Sequence, residues 1–263
     1  MNSLIKRIVP VLFIKNGLIV RSQNFQRHQV IGNVIDQANR LNEWNADELI
    51  YIDISRENHY DLGRDDLKIN TMQDIETIIS AIGKICFMPL TFGGGIKSIK
   101  DALIRIRSGA DKITINSLIH KDPKIVKDIV SVLGSQAVVA SVDYFIHENN
   151  PYVVKSHGQS NTELNLYDFI DRCEQMGIGE LFIQNINLDG KAKGYDIEII
   201  SKVVDIASIP VIACSGAGKP EHFVEVAKIE KLSGIAAGNY FNFKELSYPI
   251  VKEELKSNFN NVR

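Results

Sequence analysis

Short apolar runs recur along the chain, and each is followed by a polar or glycine-rich turn and then by a stretch with helical periodicity. The runs are rich in Val and Ile and are mostly continuous, as strands are in a parallel sheet covered by helices on both faces. We predict eight such strands, which are Ile8–Ile14, Glu48–Ile54, Ile85–Phe92, Lys112–Asn116, Ala137–Asp143, Glu180–Ile186, Ile209–Cys214 and Gly234–Ala237.

Amphipathic stretches lie between the runs, for example Ser98–Ser108, Asp122–Leu133, Leu166–Met176 and Ile197–Ile206. Alternating strands and helices indicate βαβ units. Eight units in 263 residues predict an α/β fold of the (β/α)₈ TIM barrel type, as one domain over residues 1–263 with an extended loop between its first two strands. A doubly wound sheet is the alternative, but no GxGxxG follows the first strand.

The chain contains an internal repeat. Pro89–Gly95 aligns with Pro210–Gly216 at an offset of 121, and the same offset places Asn116 and Ser117 on Ala237 and Gly238. Other strand pairs keep the same order at slightly larger offsets. We therefore predict two similar half-barrels fused in one chain.

Composition narrows the function classes. The 30 Lys and Arg nearly balance the 32 Asp and Glu, so no basic excess favours nucleic acid or an anionic membrane as partner. The three cysteines are too widely spaced for a CxxC pair, and an odd number fits a reducing compartment. We read neither a signal peptide nor a membrane span, and expect a cytoplasmic protein.

Glycine-rich turns follow several predicted strands, at the end of the barrel where reactive groups lie. Glycine lets backbone N–H groups approach an anion, and a following helix adds its positive end. We predict two phosphate sites that suit a substrate phosphorylated at both ends; the alternative is that these glycines only permit tight turns. One site comprises Gly94, Gly95, Asn116 and Ser117, and the other Ser215, Gly216, Gly238 and Asn239.

One carboxylate is placed for catalysis. Asp143 ends the fifth predicted strand, where it points into the barrel mouth as a general acid or base. The alternative is a strand-end Asp that binds nearby backbone N–H groups. Its counterpart in the first half-barrel is Phe13, so a mechanism that needs two carboxylates lacks one.

Four charged residues begin strands at the opposite end of the barrel: Arg7, Glu48, Lys112 and Glu180. From the residues alone, we interpret them as an ordinary structural ring of ion pairs that closes this end of the barrel. The six histidines form no HExxH or i, i+4 pair, so we predict no metal site and no cofactor. A loop containing Gly158 follows the strand-like run Pro151–Lys155.

Motifs in order over residues 4–245 resemble the cyclase (synthase) subunit of imidazole glycerol phosphate synthase, a (β/α)₈ barrel that receives ammonia from a separate glutaminase. The matching stretches are Lys6–Pro10, Asp47–Asp53, Gly93–Ile96, Gly109–Asn116, Gly134–Val139, Gly179-Glu180, Asp189-Gly190, Gly194–Asp196 and Gly216–Lys219. The resemblance implies that Arg7, Glu48, Lys112 and Glu180 form an ammonia gate and that Asp111 lies on the face that docks a glutaminase.

The mouth matches that family less well. The family uses two catalytic aspartates; Asp143 matches the second, whereas Phe13 replaces the first. Arg21 stands where the family has Lys, Asn187 where an aspartate is usual, and Gly238 where a serine is usual. The other residues that we expect to bind substrate are Asp53, Gly158, Asp189 and Gly190.

A diverged branch of the family, linked to converting an acetamido group of a surface-glycan sugar to an acetamidino group, also lacks the first aspartate, and this chain resembles that branch more closely. The expected partners are therefore a glutaminase and a phosphorylated or nucleotide-linked small molecule. A genuine histidine-pathway cyclase is one alternative. A non-catalytic barrel that binds a phosphosugar or only channels ammonia is another.

Overall fold

We describe the protein from a computed structural model. The structure describes residues 5–23, 25, 27–55, 72, 74–155, 160–243 and 245–263. Gly158, which we expect to bind substrate, lies outside the described residues.

Eight parallel strands close into a barrel, which confirms the predicted fold. In order around the barrel they are β1 (Arg7–Lys15), β4 (Leu49–Asp53), β5 (Leu90–Gly93), β6 (Lys112–Ile115), β7 (Val138–His147), β10 (Glu180–Asn185), β11 (Val211–Cys214) and β12 (Gly234–Ala237). Pairing of β12 with β1 and of β10 with β7 leaves no free edge among them. We call the end at which these strands start the floor and the other end the mouth.

The two halves of the chain repeat the same order of elements. In each half, the first barrel strand continues into an antiparallel hairpin: β1 pairs with β2 (Leu18–Gln23) and then β3 (Arg27–Asn33), and β7 with β8 (Asn150–Lys155) and then β9 (Ser160–Asn165). The extended loop predicted after the first strand is therefore a structured hairpin. The shared hairpin supports the half-barrel repeat beyond the sequence motifs.

The helices cover the outside of the barrel. They are α1 (Val34–Glu43), α2 (Ile75–Gly83), α3 (Ile99–Arg107), α4 (Ser117–Lys121), α5 (Pro123–Leu133), α6 (Leu166–Gln175), α7 (Ile197–Ile206), α8 (Pro220–Ala227), α9 (Asn239–Phe243) and α10 (Ser247–Asn258). Side-chain caps set several helix starts; Ser98, Asp122 and Asp196 accept backbone N–H bonds from the first turns of α3, α5 and α7. Within the described part of the chain, no helix is long and apolar enough to cross a membrane.

Some predicted strand limits were wrong. The run Ile85–Phe92 begins as a loop, and β5 starts only at Leu90, because Pro89 precedes it without an N–H to donate to a neighbouring strand. The fifth strand does not end at Asp143, since β7 continues to His147 to pair with β8. Asp143 instead marks where that strand leaves the barrel wall.

Apolar side chains fill two separate cores. The larger one lies between the strands and the helices. The smaller one fills the barrel itself; its buried members are Val9, Val11, Phe13, Val20, Ile50, Val139, Phe182, Ile212, Cys214 and Ala236. Because strand side chains alternate, Arg7, Val9, Val11 and Phe13 share the inward face of β1, over roughly 20 Å from floor to mouth.

Residues between 229 and 252 help to fix the start of β1 at the floor. The Lys6 ammonium is buried and donates to three carbonyl oxygens, of Ile229, Glu230 and Leu232. The Asp47 carboxylate accepts from the backbone N–H of Ile8 at 2.9 Å and pairs with Lys252 of α10. These contacts fix the backbone directly beside Arg7 and Glu48.

Candidate functional site

Four charged side chains form a closed ring at the floor. Arg7 donates to Glu48 and to Glu180, at 2.5 Å each, and Lys112 donates to Glu180 at 2.8 Å and to Glu48 at 3.3 Å. We call Arg7, Glu48, Lys112 and Glu180 the floor ring. The structure therefore brings together all four residues that the sequence placed at the bottom of the barrel.

Burial differs around the floor ring. The Glu48 side chain is 2% exposed and that of Glu180 7%, whereas Arg7 is 17% and Lys112 22% exposed. Burial alone would lower the pKa of Arg7, but Glu180 and Glu48 outweigh it and hold that pKa above its ordinary value. Since the two acids are nearly dry, each depends on its cations for compensation.

Above the floor ring the barrel interior is mainly apolar, and the buried hydroxyls of Thr91, Thr114 and Ser141 are uncharged polar groups at its inward positions. Val9, Ile50, Val139 and Phe182 belong to the inner core and are fully buried. A neutral small molecule crosses such an interior at far lower cost than a cation, which loses its hydration.

Asp143 lies at the mouth end of this interior. Its carboxylate is 4% exposed and accepts a hydrogen bond from Asn116 Nδ2 at 2.9 Å. Burial raises the pKa of Asp143 from 3.8 to about 7; the Asn116 bond opposes this rise and nearby Asp189 adds to it. A carboxyl that titrates near neutrality can both give and accept a proton under physiological conditions.

A cavity of about 240 Å³ opens at the mouth, on the side of the second half-barrel. It is lined by Phe13, Arg21, Gln184, Asp189, Gly190, Ala192, Cys214, Ser215, Gly216, Ala217, Gly218, Ala237, Gly238, Asn239 and Tyr240. The second predicted phosphate site, Ser215, Gly216, Gly238 and Asn239, is thus assembled in one wall. Gln184 pairs in register with Asp143, which places the carboxyl beside this cavity.

The first predicted phosphate site does not line that cavity. Asn116 is engaged with Asp143, and Ser117 begins α4. Gly94 and Gly95 form the turn after β5, and the backbone carbonyl of Asp53 lies so close to Gly94 that a Cβ there would be only 2.0 Å from its oxygen. The Asp53 carboxylate accepts from Ser55 N–H at 2.9 Å.

The turns after β5 and β11 nevertheless have the same backbone form. Two consecutive residues have positive φ in each, Gly94 (99°) and Gly95 (63°) after β5, and Ser215 (87°) and Gly216 (95°) after β11. The aligned offset of 121 thus relates residues that share a positive φ. Ser215 adopts the left-handed region without being glycine, which carries a strain cost.

Asp189 connects the cavity to the first hairpin. Its Oδ2 accepts from the Ser22 hydroxyl at 2.9 Å and from the Phe25 N–H at 3.1 Å, and Asn239 donates to the Ser22 carbonyl at 2.7 Å. Burial raises the pKa of Asp189, although those two bonds oppose the rise. The predicted substrate residues Asp189 and Asn239 therefore also hold the β2–β3 hairpin over the cavity.

Comparisons with known proteins show which family the chain belongs to. A model of the family described as "Histidine biosynthesis protein" matches residues 7–247. The chain belongs to the histidine biosynthesis protein family. Similar relatives are subunits HisF of imidazole glycerol phosphate synthase from Hydrogenobaculum (34% identical; 99% of both chains covered), Leuconostoc mesenteroides (34%; 99% of both) and Staphylococcus saprophyticus (35%; 95% of this chain and 96% of the relative).

Several residues that line the cavity of this chain were not predicted from the sequence. Gln184 and Cys214 lie on strands whose inward positions alternation would have revealed, since Glu180, Phe182 and Gln184 are two residues apart. Ala192 and Tyr240 carry no such signal, because an irregular loop and a short helix place them. Asn187, where the family resemblance expects an aspartate, accepts from Ile146 N–H at 2.8 Å.

Among the described residues, no three His, Cys, Asp or Glu side chains cluster as a metal site would require. Burial raises the pKa of the Cys214 thiol, so it stays neutral in the cavity wall.

Proposed function

We propose that this chain is the synthase subunit of a glutamine-dependent amidotransferase, which takes up ammonia at the floor and delivers it to a ligand at the mouth. The observation that carries the proposal is the arrangement of three features along one barrel. A closed ring of charges covers the floor, a mainly apolar interior follows it, and a buried carboxyl beside a cavity lies at the far end.

The floor is the proposed docking face for the glutaminase. Arg7 and Lys112 are the partly exposed members of the floor ring, and Asp111 beside them is exposed while one of its oxygens accepts from Leu90 N–H at 2.8 Å. That bond fixes the carboxylate and leaves its other oxygen for a donor on the partner. Charged groups held in this way give an interface its orientation.

Lys112 is the proposed moving part of the gate. It is the most exposed member of the floor ring, and its bond to Glu48 is the longest of the four. Arg7 is held additionally by the Ser233 carbonyl and hydroxyl, at 3.3 Å each. An outward swing of Lys112 would open a path for neutral ammonia while Arg7 keeps both carboxylates compensated.

At the mouth, the turns after β11 and β12 and Arg21 would hold a phosphate of the ligand. Asp143 would exchange protons with the reacting nitrogen, because its carboxyl is poised near neutrality. The hairpin attached to Asp189 would exclude water from the ligand once it is bound.

The proposed acceptor is an acetamido sugar, phosphorylated or nucleotide-linked, in surface-glycan biosynthesis. In that conversion ammonia adds to the acetamido carbon and a C–N bond forms, the nitrogen loses a proton, and the C–O bond breaks so that the oxygen leaves on the phosphoryl or adenylyl group that ATP has placed on it. An amide oxygen is a poor leaving group, so a further amidotransferase-like enzyme of ATP-dependent class would first activate it. The Phe13 ring in the cavity wall supports this proposal, since it offers an apolar contact to a methyl group and no second acid.

Two alternative functions are each favoured by a different observation. The full-length identity of about one third to HisF subunits favours a genuine imidazole glycerol phosphate cyclase. The presence of Phe13 where the resemblance implies a second catalytic aspartate favours a barrel that binds a phosphosugar or channels ammonia to a third protein without forming the bond itself.

The deciding experiment is co-purification with the glutaminase of the same organism, followed by mass spectrometry of products formed from glutamine with a heavy-nitrogen amide. Label in an amidino sugar supports the proposal. Label in imidazole glycerol phosphate establishes the cyclase. Free labelled ammonia alone, with either acceptor, the activating enzyme and ATP present, points to the non-catalytic barrel.

A further inference from the structure

His222 lies in the first turn of α8, directly behind the cavity wall. Its Nδ1 accepts a hydrogen bond from the backbone N–H of Gly218 at 3.2 Å, and Gly218 lines the cavity. The imidazole also packs over Gly194, where an added Cβ would lie 3.6 Å from the ring. Gly194 in turn donates to the carbonyl of Gly216 at 2.8 Å. The ring therefore joins the loops after β10 and β11.

The symmetry of the barrel shows what is unusual about this contact. At the offset of 121, Asp101 is the counterpart of His222 and Lys97 the counterpart of Gly218. In the first half-barrel the Asp101 carboxylate accepts from Lys97 N–H at 3.0 Å. Each half thus uses the third residue of a helix to accept the N–H that precedes the helix cap, with a carboxylate in one half and an imidazole in the other.

The carboxylate and the imidazole differ in charge, and this difference affects the binding of an anionic ligand. With Nδ1 accepting, a neutral imidazole carries its proton on Nε2 and satisfies the Gly218 N–H without adding negative charge. A carboxylate at the same place would repel an anion held by the turn. The helix alone would favour the carboxylate, since acids stabilise a first turn. The imidazole therefore gives up a favourable helix interaction at the turn that lines the cavity.

A second observation at this turn also indicates a ligand. Ser215 is 8% exposed, and its Oγ has no hydrogen-bond partner among the described residues. The adjacent Cys214 thiol is near enough for the hydroxyl to influence its pKa, but a thiol is a weak acceptor. A buried hydroxyl without a partner, on a residue at a φ of 87°, is costly unless a bound group compensates it.

We infer that His222 is a positioning residue that keeps the turn Ser215–Gly218 receptive to an anionic group, by accepting the Gly218 N–H without charge. The ligand group is a phosphate, as a monoester or as part of a diphosphate. The inference deepens the proposed function and rests on it for the nature of the ligand.

The test compares His222→Asp with His222→Asn. Both side chains place an acceptor oxygen at the position of Nδ1, and only the first carries a charge. Inorganic phosphate is titrated into the full chain, and the backbone amide signals of Gly216 and Gly218 are followed by NMR. We expect His222→Asn to bind within about twofold of the parent chain and His222→Asp to bind about tenfold more weakly or worse.

The melting temperatures of the two variants distinguish this role from a merely structural one. His222→Asp should melt at the same temperature as His222→Asn or above it, because an acid suits the first turn of α8. Loss of phosphate binding together with retained stability supports the inference. Equal phosphate binding by the two variants, or equal loss in both, overturns it, as does a parent chain that shows no phosphate response at Gly218.

The control is Asp101→Asn, which changes the chain's net charge by one at the matching helix position in the other half-barrel. It should leave the Gly218 titration unchanged; a response comparable to that of His222→Asp would reduce the effect to net charge and overturn the inference. Complex formation between each variant and the glutaminase is measured in parallel. An intact complex with no phosphate effect would reject the role of His222 and leave the proposed function standing.

Discussion

The ring of Phe13 lies against the α-carbon of Gly238. A Cβ added to Gly238 would be 3.6 Å from Phe13 Cε2 and 3.2 Å from the carbonyl oxygen of Val11. Phe13 lies in the mouth half of β1, Gly238 directly follows the neighbouring strand β12, and both line the cavity. The Phe13 ring thus lies beside a residue, Gly238, that has no side chain. The resemblance to the family implies an aspartate at the first position and a serine at the second, so both expectations concern one local region of the mouth.

Restoring the family pattern at both positions should have more than additive effects on imidazole glycerol phosphate synthesis. We expect the parent chain to be poor with the ribulosyl aminoimidazole substrate and ammonium at raised pH. Phe13→Asp should raise turnover, because one positioned acid or base contributes about 10²–10⁴-fold. Gly238→Ser should add to this only beside Phe13→Asp, since a side chain there crowds Val11 and the ring.

A double-mutant cycle of turnover measures the coupling. Gly238→Ser alone should lower the melting temperature slightly, because the contact with Val11 leaves little room. Family-like turnover by the parent chain would refute the divergence and establish the cyclase function.

The buried carboxyl of Asp143 should make the protein less stable as pH rises. Its folded-state pKa of about 7 lies above the ordinary 3.8, so the folded chain keeps a proton that the unfolded chain releases. The stability that this group contributes is present below about pH 4 and is lost as pH rises to about 7. Asp143→Asn should escape that loss and gain at most about 4 kcal/mol above pH 7.

Urea unfolding of both proteins across this pH range measures the difference. Asp205→Asn is the control, because Asp205 forms an exposed ion pair with Lys231. A stability difference between parent and Asp143→Asn that does not grow with pH would show that Asp143 is ionised when folded.

Lys112→Ala should uncouple glutamine hydrolysis from product formation. The substitution removes one of two cations from two nearly dry carboxylates, at a cost of about 1–3 kcal/mol, less than for a fully buried pair because Lys112 is 22% exposed. The fold should survive on the pairs with Arg7. Ammonia from glutamine should then escape, while ammonium supplied in solution still supports the reaction.

The ratio of glutamate to aminated product is the measurement, and Lys231→Ala is the matched control from an exposed ion pair. Unchanged coupling in a folded Lys112→Ala protein would return the floor ring to a purely structural role.

Phe87 should be an anchor for the glutaminase. Its side chain is 92% exposed in the floor loop before β5, and its backbone N–H is fixed by a 3.1 Å bond to Asn42 Oδ1. A fixed exposed aromatic is typical of interface hot spots, so Phe87→Ser should weaken the complex by about 2 kcal/mol, roughly thirtyfold. Calorimetric titration with the glutaminase measures it; Val30→Ser, at the mouth end, should bind normally.

The barrel could be predicted because its signal is local. Each strand is a continuous apolar run, and the repeat relates turns such as Gly94–Gly95 and Ser215–Gly216, in which both residues have a positive φ. The floor ring could be predicted for the same reason, since its four residues begin strands of a closed barrel. Alternation places them on one inward face whatever the exact strand limits.

The cavity could not be predicted to the same degree, because contacts between distant loops create it. Nothing near Ser22 in the sequence indicates its bond to Asp189, 167 residues away. The sequence also suggested two equivalent phosphate sites, whereas the described cavity is lined by the second. The turn after β5 is instead packed against the Asp53 carbonyl, which depends on how neighbouring strands approach.

Every member of the floor ring is bonded to both members of opposite charge. Any single replacement that removes a charge therefore leaves both opposite charges with one partner each, and it weakens the whole floor ring even where the fold survives. The contact between Phe13 and Gly238 at the mouth is under no such constraint, since it depends on shape alone. During evolution, such a barrel is expected to acquire new substrates by drift at its mouth, while its floor stays unchanged and continues to accept the same ammonia-producing partner.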